Sequence, residues 1–245
     1  MSGAAWLILP TYNEAENVEA LVTSALVQLG KESDAPRVLV VDDNSPDGTG
    51  EIADRLAAQH LGRVDVLHRP GKGGLGPAYL AGFERALAGG AALVAVMDCD
   101  LSHDPRSLPD LIAAAERGAD LVIGSRFVRG GRTVGWPRWR KVQSYAALLP
   151  TRLLLRLPVV DVTGGFKLWR ADALRRIEVG TTVSQGFVFQ IETTQRAARA
   201  GLRVVEVPIT FREREVGVSK LSPAVKREGI VVVLRLARRP WRPTP

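Results

Sequence analysis

An unbroken apolar run, Ala91 to Met97, leads directly into DCDLSHDP. A run of this kind, without polar alternation, reads as a strand buried on both faces, which belongs in a parallel sheet covered by helices. It delivers two carboxylates, Asp98 and Asp100, one residue apart. If the backbone stays extended past Met97, both side chains leave the strand on the same side. The carboxyl end of such a strand is where open α/β sheets bind ligands. Two acids placed there repel each other unless a cation lies between them. A hard divalent ion fits, since magnesium typically takes one or two protein carboxylates and fills its shell with waters and substrate phosphates. Taken alone, the spacing also fits a strand ending in a capped turn. Cys99, between the acids, is expected to point the other way and pack.

The chain on either side repeats the strand-then-helix unit. Trp6 to Leu9 is a short strand ended by Pro10. Asn13 and the acids after it suit a helix start, with Val18, Leu21, Val22, Ala25 and Leu26 at helical spacing. Arg37 to Val41 is a second strand closed by Asp42 and Asp43, then a Ser-Pro-Asp-Gly turn and a helix from near Thr49. Val64 to Leu67 leads through glycine-rich HRPGKGGLGPA into another helix. Leu108 to Glu116 reads as a helix and Asp120 to Ile123 as a strand ending in GSRFVRGG. This alternation predicts an α/β fold, a mostly parallel sheet flanked by helices and joined by right-handed crossovers. The second half is less regular. VGWPRWRK, from Val134 to Lys141, mixes tryptophans with cations. An apolar helical segment interrupted by Pro150 follows, then helices near Ala171 to Ile177 and in QGFVFQIETTQRAARAGL. Arg203 to Phe211 reads as one strand and REREVGVSKLS as a mobile loop. An amphipathic helix, Pro223 to Ala237, and a basic tail end the chain.

With 245 residues, 46% of them hydrophobic, the chain can bury a sizeable core. A net charge of +7 points to acidic partners: phosphates, nucleic acid or an anionic membrane. Nucleic acid is set aside, because no helix-turn-helix, zinc-finger or RNA-binding signature appears and acids cluster at the candidate site. The single cysteine excludes an internal disulfide framework and suits a reducing compartment. Met1 to Pro10 lacks the layout of a signal peptide, and no stretch reaches the roughly eighteen apolar residues of a membrane span.

Strand ends on one edge should gather Pro10 to Glu14, Asp42 and Asp43, Asp98 and Asp100, and Gly124 to Phe127. Asp43 suits either the donor edge of a nucleotide base or turn-forming Asx chemistry. GKGGLGPA matches neither GxxxxGK[ST] nor GxGxxG and reads as a plain connection. His103 stands alone, without metal-ligand spacing, in a capping or supporting role. Arg126, Arg214 and Lys220 are loop cations, each by itself a solvated surface charge. Opposite a DxD site they would together neutralise a leaving diphosphate and an incoming phosphate.

LPTYNEAENV, VVDDNSPDGT, GLGPAYLAGF, MDCDLSHDP, GSRFVRGG, DVTGGFKLWR, GFVFQIE and VPITFREREVGVSKLS occur in the order found in the dolichol-phosphate (polyprenol-phosphate) mannosyltransferases. The chain resembles that branch of glycosyltransferase family 2, with the GT-A fold, from Leu7 to Leu221. The first three motifs and DxD mark the broad family; DVTGGFKLWR and GVSKL are much more specific to the branch. The resemblance implies a GT-A catalytic domain over residues 1–222, followed by the amphipathic helix and basic tail over 223–245. It implies an inverting transfer of mannose from GDP-mannose to a polyprenyl monophosphate. Pro10, Tyr12, Glu14, Val41 and Asp43 would hold the nucleotide. Asp98, Asp100 and Ser102 would surround Mg²⁺ or Mn²⁺, with Cys99 contributing backbone. Arg126, Arg214 and Lys220 would meet phosphates. Ser102 stands where some relatives carry Gln, which makes its metal contact indirect or water-mediated, and Asp104 adds a negative charge where Pro or His is often found. Another donor, such as UDP-glucose, with the same acceptor is the alternative. A lipid acceptor calls for the cytoplasmic face of a membrane, reached peripherally through Val134 to Leu157 and the C-terminal helix, or through a separate anchoring subunit.

Overall fold

The computed structural model describes residues 3–213, 223–238 and 240–242. Arg214 and Lys220, with most of the loop expected to be mobile, lie outside the described residues. The first half alternates as expected: β1 (Ala5–Thr11), α1 (Val18–Leu29), β2 (Arg37–Asp42), α2 (Thr49–Gln59), β3 (Val64–His68), α3 (Leu75–Ala88), β4 (Leu93–Val96), α4 (Leu108–Glu116) and β5 (Leu121–Ser125). There follow β6 (Arg132–Val134), α5 (Arg138–Leu155), β7 (Lys167–Arg170), α6 (Ala171–Arg176), α7 (Val188–Arg199), β8 (Val204–Pro208), β9 (Thr210–Arg212) and α8 (Pro223–Arg238).

Seven strands form one sheet in the order β3-β2-β1-β4-β7-β5-β8. All run parallel except β7, which is antiparallel to both its neighbours. Both faces of the sheet are covered, which is why its strands read as continuous apolar runs. Trp6 and Ile8 of β1 and Val94 and Val96 of β4 pack with Tyr79, Phe83 and Phe189. The alternate residues Leu7, Leu9, Ala95 and Met97 pack on the other face against α1 and α4. β6 and β9 pair in a small second sheet. Among the described residues, no helix is long and apolar enough to cross a membrane.

Four local expectations change. Asn13 does not open α1; it takes a left-handed turn at φ 58°, and the helix begins at Val18, after Glu14 C=O has accepted from Asn17 and Val18 N–H at 3.0 Å. Pro150 does not interrupt α5. Core contacts of Leu148 and Leu155 anchor both sides of it, and Thr151 Oγ1 donates to Ala147 C=O at 2.9 Å. The single strand expected over residues 203–211 is two, because Ile209 turns into the core and bridges Ser125 and Arg132 through its backbone, which moves β9 to the second sheet. Within DVTGGFKLWR, Lys167–Arg170 forms the antiparallel strand β7, so the parallel order is broken beside β4.

Candidate active site

β4 is central in the sheet, and the chain leaving it keeps a period of two. Cys99 is 2% exposed and packs with Met97 on the α1/α4 face. Asp98 and Asp100 therefore turn to the opposite side, where Tyr79 of α3 donates its hydroxyl to Asp98 Oδ1 at 3.3 Å. Both carboxylates act electrostatically on Tyr79 and on His103. The Asp98 side chain is 31% exposed and Asp100 is buried at 5%, so Asp98 is the acid more open to solvent. Leu101 then takes a left-handed backbone at φ 59°, a strained choice for a branched residue. The turn is held by Ser102 N–H donating to Asp100 Oδ1 at 3.0 Å and by Arg212 N–H donating to Ser102 C=O at 3.0 Å.

Ser102 Oγ is buried and has no hydrogen-bond partner among the described residues. His103 is buried too, its Nδ1 3.9 Å from Asp98 Oδ2 and its ring against Phe166 and Phe211. Burial pushes the His103 pKa down against the pull of the two aspartates, so it stands as a neutral neighbour. Asp104 caps the short 3-10 turn Pro105–Ser107 and pairs with the Arg106 guanidinium at 2.6 Å, which holds its carboxyl below the usual range. Its charge is thus spent locally.

The donor set suits a hard divalent ion. Two carboxylates and an unsatisfied buried hydroxyl are oxygen ligands, as magnesium or manganese prefers. Among the described residues no group of three or more His, Cys, Asp or Glu side chains is placed to hold a metal. Beyond Asp98, Asp100 and the Ser102 hydroxyl, an ion there would complete its shell with water and a ligand's own oxygens.

Toward β2 the other expected residues appear. Pro10 faces Val41 across the β1–β2 pairing, and Val41 is fully buried. Tyr12 lies beneath Lys72, whose Nζ is 4.1 Å from the ring centroid. Glu14 Oε2 accepts from Asn17 Nδ2 at 3.0 Å, while its N–H donates to Thr49 Oγ1 at 2.9 Å. Asp42 accepts from Thr11 and Ser45 and so closes its own turn. Asp43 is 4% exposed and accepts from the Arg69 guanidinium and from Gly73 and Gly74 N–H.

Arg126, after β5, reaches the same edge but is already paired. Its Nε and Nη2 donate to Asp161 at 2.7 and 2.6 Å, and Nη2 also to Thr163 Oγ1 at 3.0 Å. A phosphate therefore meets Arg126 through Nη1 or not at all. Asp161 is fully buried and is positioned by Glu206, which accepts from the Val160 and Asp161 N–H groups at 2.7 and 2.9 Å. Behind it lies Lys167, fully buried, its Nζ donating to Gln190 C=O at 2.6 Å and Thr194 Oγ1 at 2.8 Å. Desolvation lowers its pKa to about 7 despite the nearby Asp161.

Tyr79, Asp161, Thr163 and Lys167 were not singled out from sequence as site residues. Tyr79 sits in GLGPAYLAGF and the other three in DVTGGFK, both motifs of the resemblance, but nothing in their spacing shows that Tyr79 meets Asp98, that Asp161 and Thr163 meet Arg126, or that Lys167 lies buried behind them.

Against known proteins, the model for glycosyl transferase family 2 matches residues 6–178. Undecaprenyl-phosphate mannosyltransferase of Micrococcus luteus is 50% identical over 228 residues, covering 93% of this chain and 91% of that one. Polyprenol monophosphomannose synthase of Mycolicibacterium smegmatis is 46% identical over 227 residues, covering 93% and 84%. Among solved structures, glucosyl-3-phosphoglycerate synthase of Mycobacterium tuberculosis with Mn²⁺, UDP and phosphoglyceric acid superposes with a TM-score of 0.71 at 19% identity, over 97% of this chain and 80% of that one. The same enzyme with Mg²⁺ and UDP gives 0.69 at 20% identity over the same shares. These structures bear on the fold, and the GT-A expectation holds. From the extent of the family match and the identity to both relatives, the chain belongs to glycosyltransferase family 2.

Proposed function

We propose that the chain transfers mannose, with inversion, from GDP-mannose to a polyprenyl monophosphate at a membrane surface. The observation that carries this reading is the placement of Asp98 and Asp100 on one side of the chain beyond β4, with the unsatisfied Ser102 hydroxyl beside them. The names of the two relatives support a polyprenyl phosphate acceptor and a mannosyl product.

Asp98 and Asp100 would hold the ion, Tyr79 fixes the Asp98 carboxylate, and the Leu101 turn sets the spacing between the acids and Ser102. A bound Mg²⁺ or Mn²⁺ supplies charge stabilisation on the departing diphosphate. An acceptor phosphate oxygen attacks the anomeric carbon from the opposite side. A bond from that oxygen to carbon forms, the bond from carbon to the diphosphate oxygen breaks, and the electron pair leaves with GDP. A phosphate monoester, with its second pKa near 6, is largely dianionic at neutral pH and needs no strong general base. Alignment and charge stabilisation then carry the rate. Arg126, Arg214 and Lys220 offset the repulsion between the two anionic substrates.

For the membrane, Val142, Tyr145, Leu149 and Leu153 form an exposed stripe along α5, with Trp139 at its start. α8 packs beside α5 and exposes Ile230, Val231 and Leu234, with Arg235 and Arg238 among them. Apolar stripes flanked by arginines suit an anionic lipid surface. Trp241 of the tail is not part of this surface. Its indole donates to Glu178 at 3.4 Å and its C=O accepts from Arg199 at 2.7 Å.

The test is transfer of label from radioactive GDP-mannose to extracted polyprenyl phosphate with Mg²⁺. The reading expects label in the lipid phase. No lipid label, or label only from UDP-glucose, overturns the donor assignment.

A further inference from the structure

The glycine-rich segment between β3 and α3 is held in place from outside itself. Asp43 Oδ2 accepts from Gly73 N–H at 3.0 Å and Gly74 N–H at 3.2 Å, and Asp43 Oδ1 pairs with the Arg69 guanidinium. Arg69 N–H donates to Asp42 C=O at 2.8 Å. Gly74 has φ +91°, which suits glycine, and a Cβ at Gly73 would collide with the Arg69 guanidinium. A plain strand-to-helix connection needs no such clamp. Its effect is to carry Lys72 over the end of β1, where Nζ lies 4.1 Å from the centroid of Tyr12.

That height is informative. Stacked rings contact at about 3.5–4 Å, so the ammonium occupies the layer in which a base stacked on Tyr12 would lie. A base taking the ring moves the ammonium sideways, within that layer, to the base's own edge. Base hydrogen-bond acceptors lie in that plane, and an ammonium can only donate. Guanine presents two acceptors, O6 and N7, side by side, a pattern that lysine matches, whereas adenine sets its N6 amino donor beside N7. The strand order β3-β2-β1-β4 puts Lys72, Asp43, Tyr12 and Asp98 in succession along one edge. A nucleotide whose diphosphate lies at Asp98 thus extends its base toward Tyr12 and Lys72.

We propose that Lys72 is a specificity-determining residue that selects purine nucleotides with a 6-oxo edge, and that Asp43 and Arg69 are its positioning residues. The proposal rests on the reading that a nucleoside diphosphate lies across β1 and β4, and it names the feature of the base that is recognised.

The experiment measures binding of GDP, IDP, ADP and UDP, each with Mg²⁺, by isothermal titration calorimetry to wild type, Lys72→Met and Lys72→Arg. IDP keeps O6 and N7 but lacks the 2-amino group. The expected result is a loss of about 5–100-fold for GDP and IDP alike in Lys72→Met, with ADP unchanged and Lys72→Arg retaining most of the GDP affinity. Equal losses for all four nucleotides would place Lys72 on the phosphates and overturn the proposal, as would no loss for GDP. A wild type that binds none of the four, or prefers UDP, defeats the GDP-mannose reading itself, whatever the variants do. Lys72 is exposed, so unchanged melting temperatures are expected to accompany these shifts.

Discussion

The Tyr79 hydroxyl donates to Asp98 Oδ1 at 3.3 Å, which ties the more exposed of the two acids to the helix that covers the sheet. Tyr79 is fully buried, and that burial, with the two aspartates, raises its pKa well above the ordinary value. It remains a donor throughout the working pH range. Its ring stacks with Phe189 at 5.7 Å and Phe83 at 6.3 Å, so its position is set by packing and does not depend on the hydrogen bond. Tyr79→Phe keeps that packing and removes only the donor. The metal concentration for half-maximal activity should rise about 10-fold or more, with a smaller change at saturating metal. An unchanged metal dependence would show that Asp98 is oriented by other contacts.

Lys167 links stability to pH. Its pKa in the folded protein is about 7, against an ordinary 10.5. Between those values the unfolded chain holds a proton that the folded chain has released, so stability from this group increases as pH rises from 7 toward 10.5. It is lost as pH falls from 10.5 to about 7, below which both states hold the proton. Lys167→Met removes the titration, so wild type should gain on the variant in urea midpoint between pH 7 and pH 9.5. Parallel midpoints across that range would mean that Lys167 stays charged in the fold.

The Arg126–Asp161 pair has a fully buried carboxylate and a guanidinium side chain only 12% exposed. Asp161→Ala leaves that cation without its partner, which should cost about 3–5 kcal/mol in chemical denaturation. Arg126→Lys should not restore activity, because an ammonium cannot occupy the two-pronged site on Asp161 and face a phosphate as well. A fully active Arg126→Lys would show that charge alone is needed there.

Lipid docking is testable on the exposed face of α5. Replacing both Leu149 and Leu153 by Glu removes two side chains, each worth about 1.5–3 kcal/mol on burial. Flotation with anionic liposomes should fall at least 10-fold, while transfer to a short, water-soluble polyprenyl phosphate persists. Undiminished flotation would move the membrane contact elsewhere.

What could be read from the sequence followed periodicity, and what could not depended on distance along the chain. The apolar run into DCD announced a buried strand and two acids on one side, and Cys99 packs opposite them as its intermediate position required. Helix α1 was visible from apolar spacing, and α2 from the turn that precedes it. β7 was not, because a four-residue strand beginning with lysine has too little pattern to register. Arg126 looked like a free loop cation because Asp161 is 35 positions away, and Lys167 drew no notice because its partners come from α7. Asp43 read as either a base contact or a turn; its carboxylate holds the glycine-rich segment, a role only the fold discloses.

Mn²⁺ binding in the presence of GDP, followed by electron paramagnetic resonance on wild type and Asp100→Ala, tests the central assignment most directly. Wild type should hold Mn²⁺ with GDP. Asp100→Ala, still folded by circular dichroism, should lose that site together with all but about 1% or less of mannose transfer. If Asp100→Ala retains both the bound Mn²⁺ and near-normal turnover, the two carboxylates beyond β4 are not where the diphosphate is drawn away.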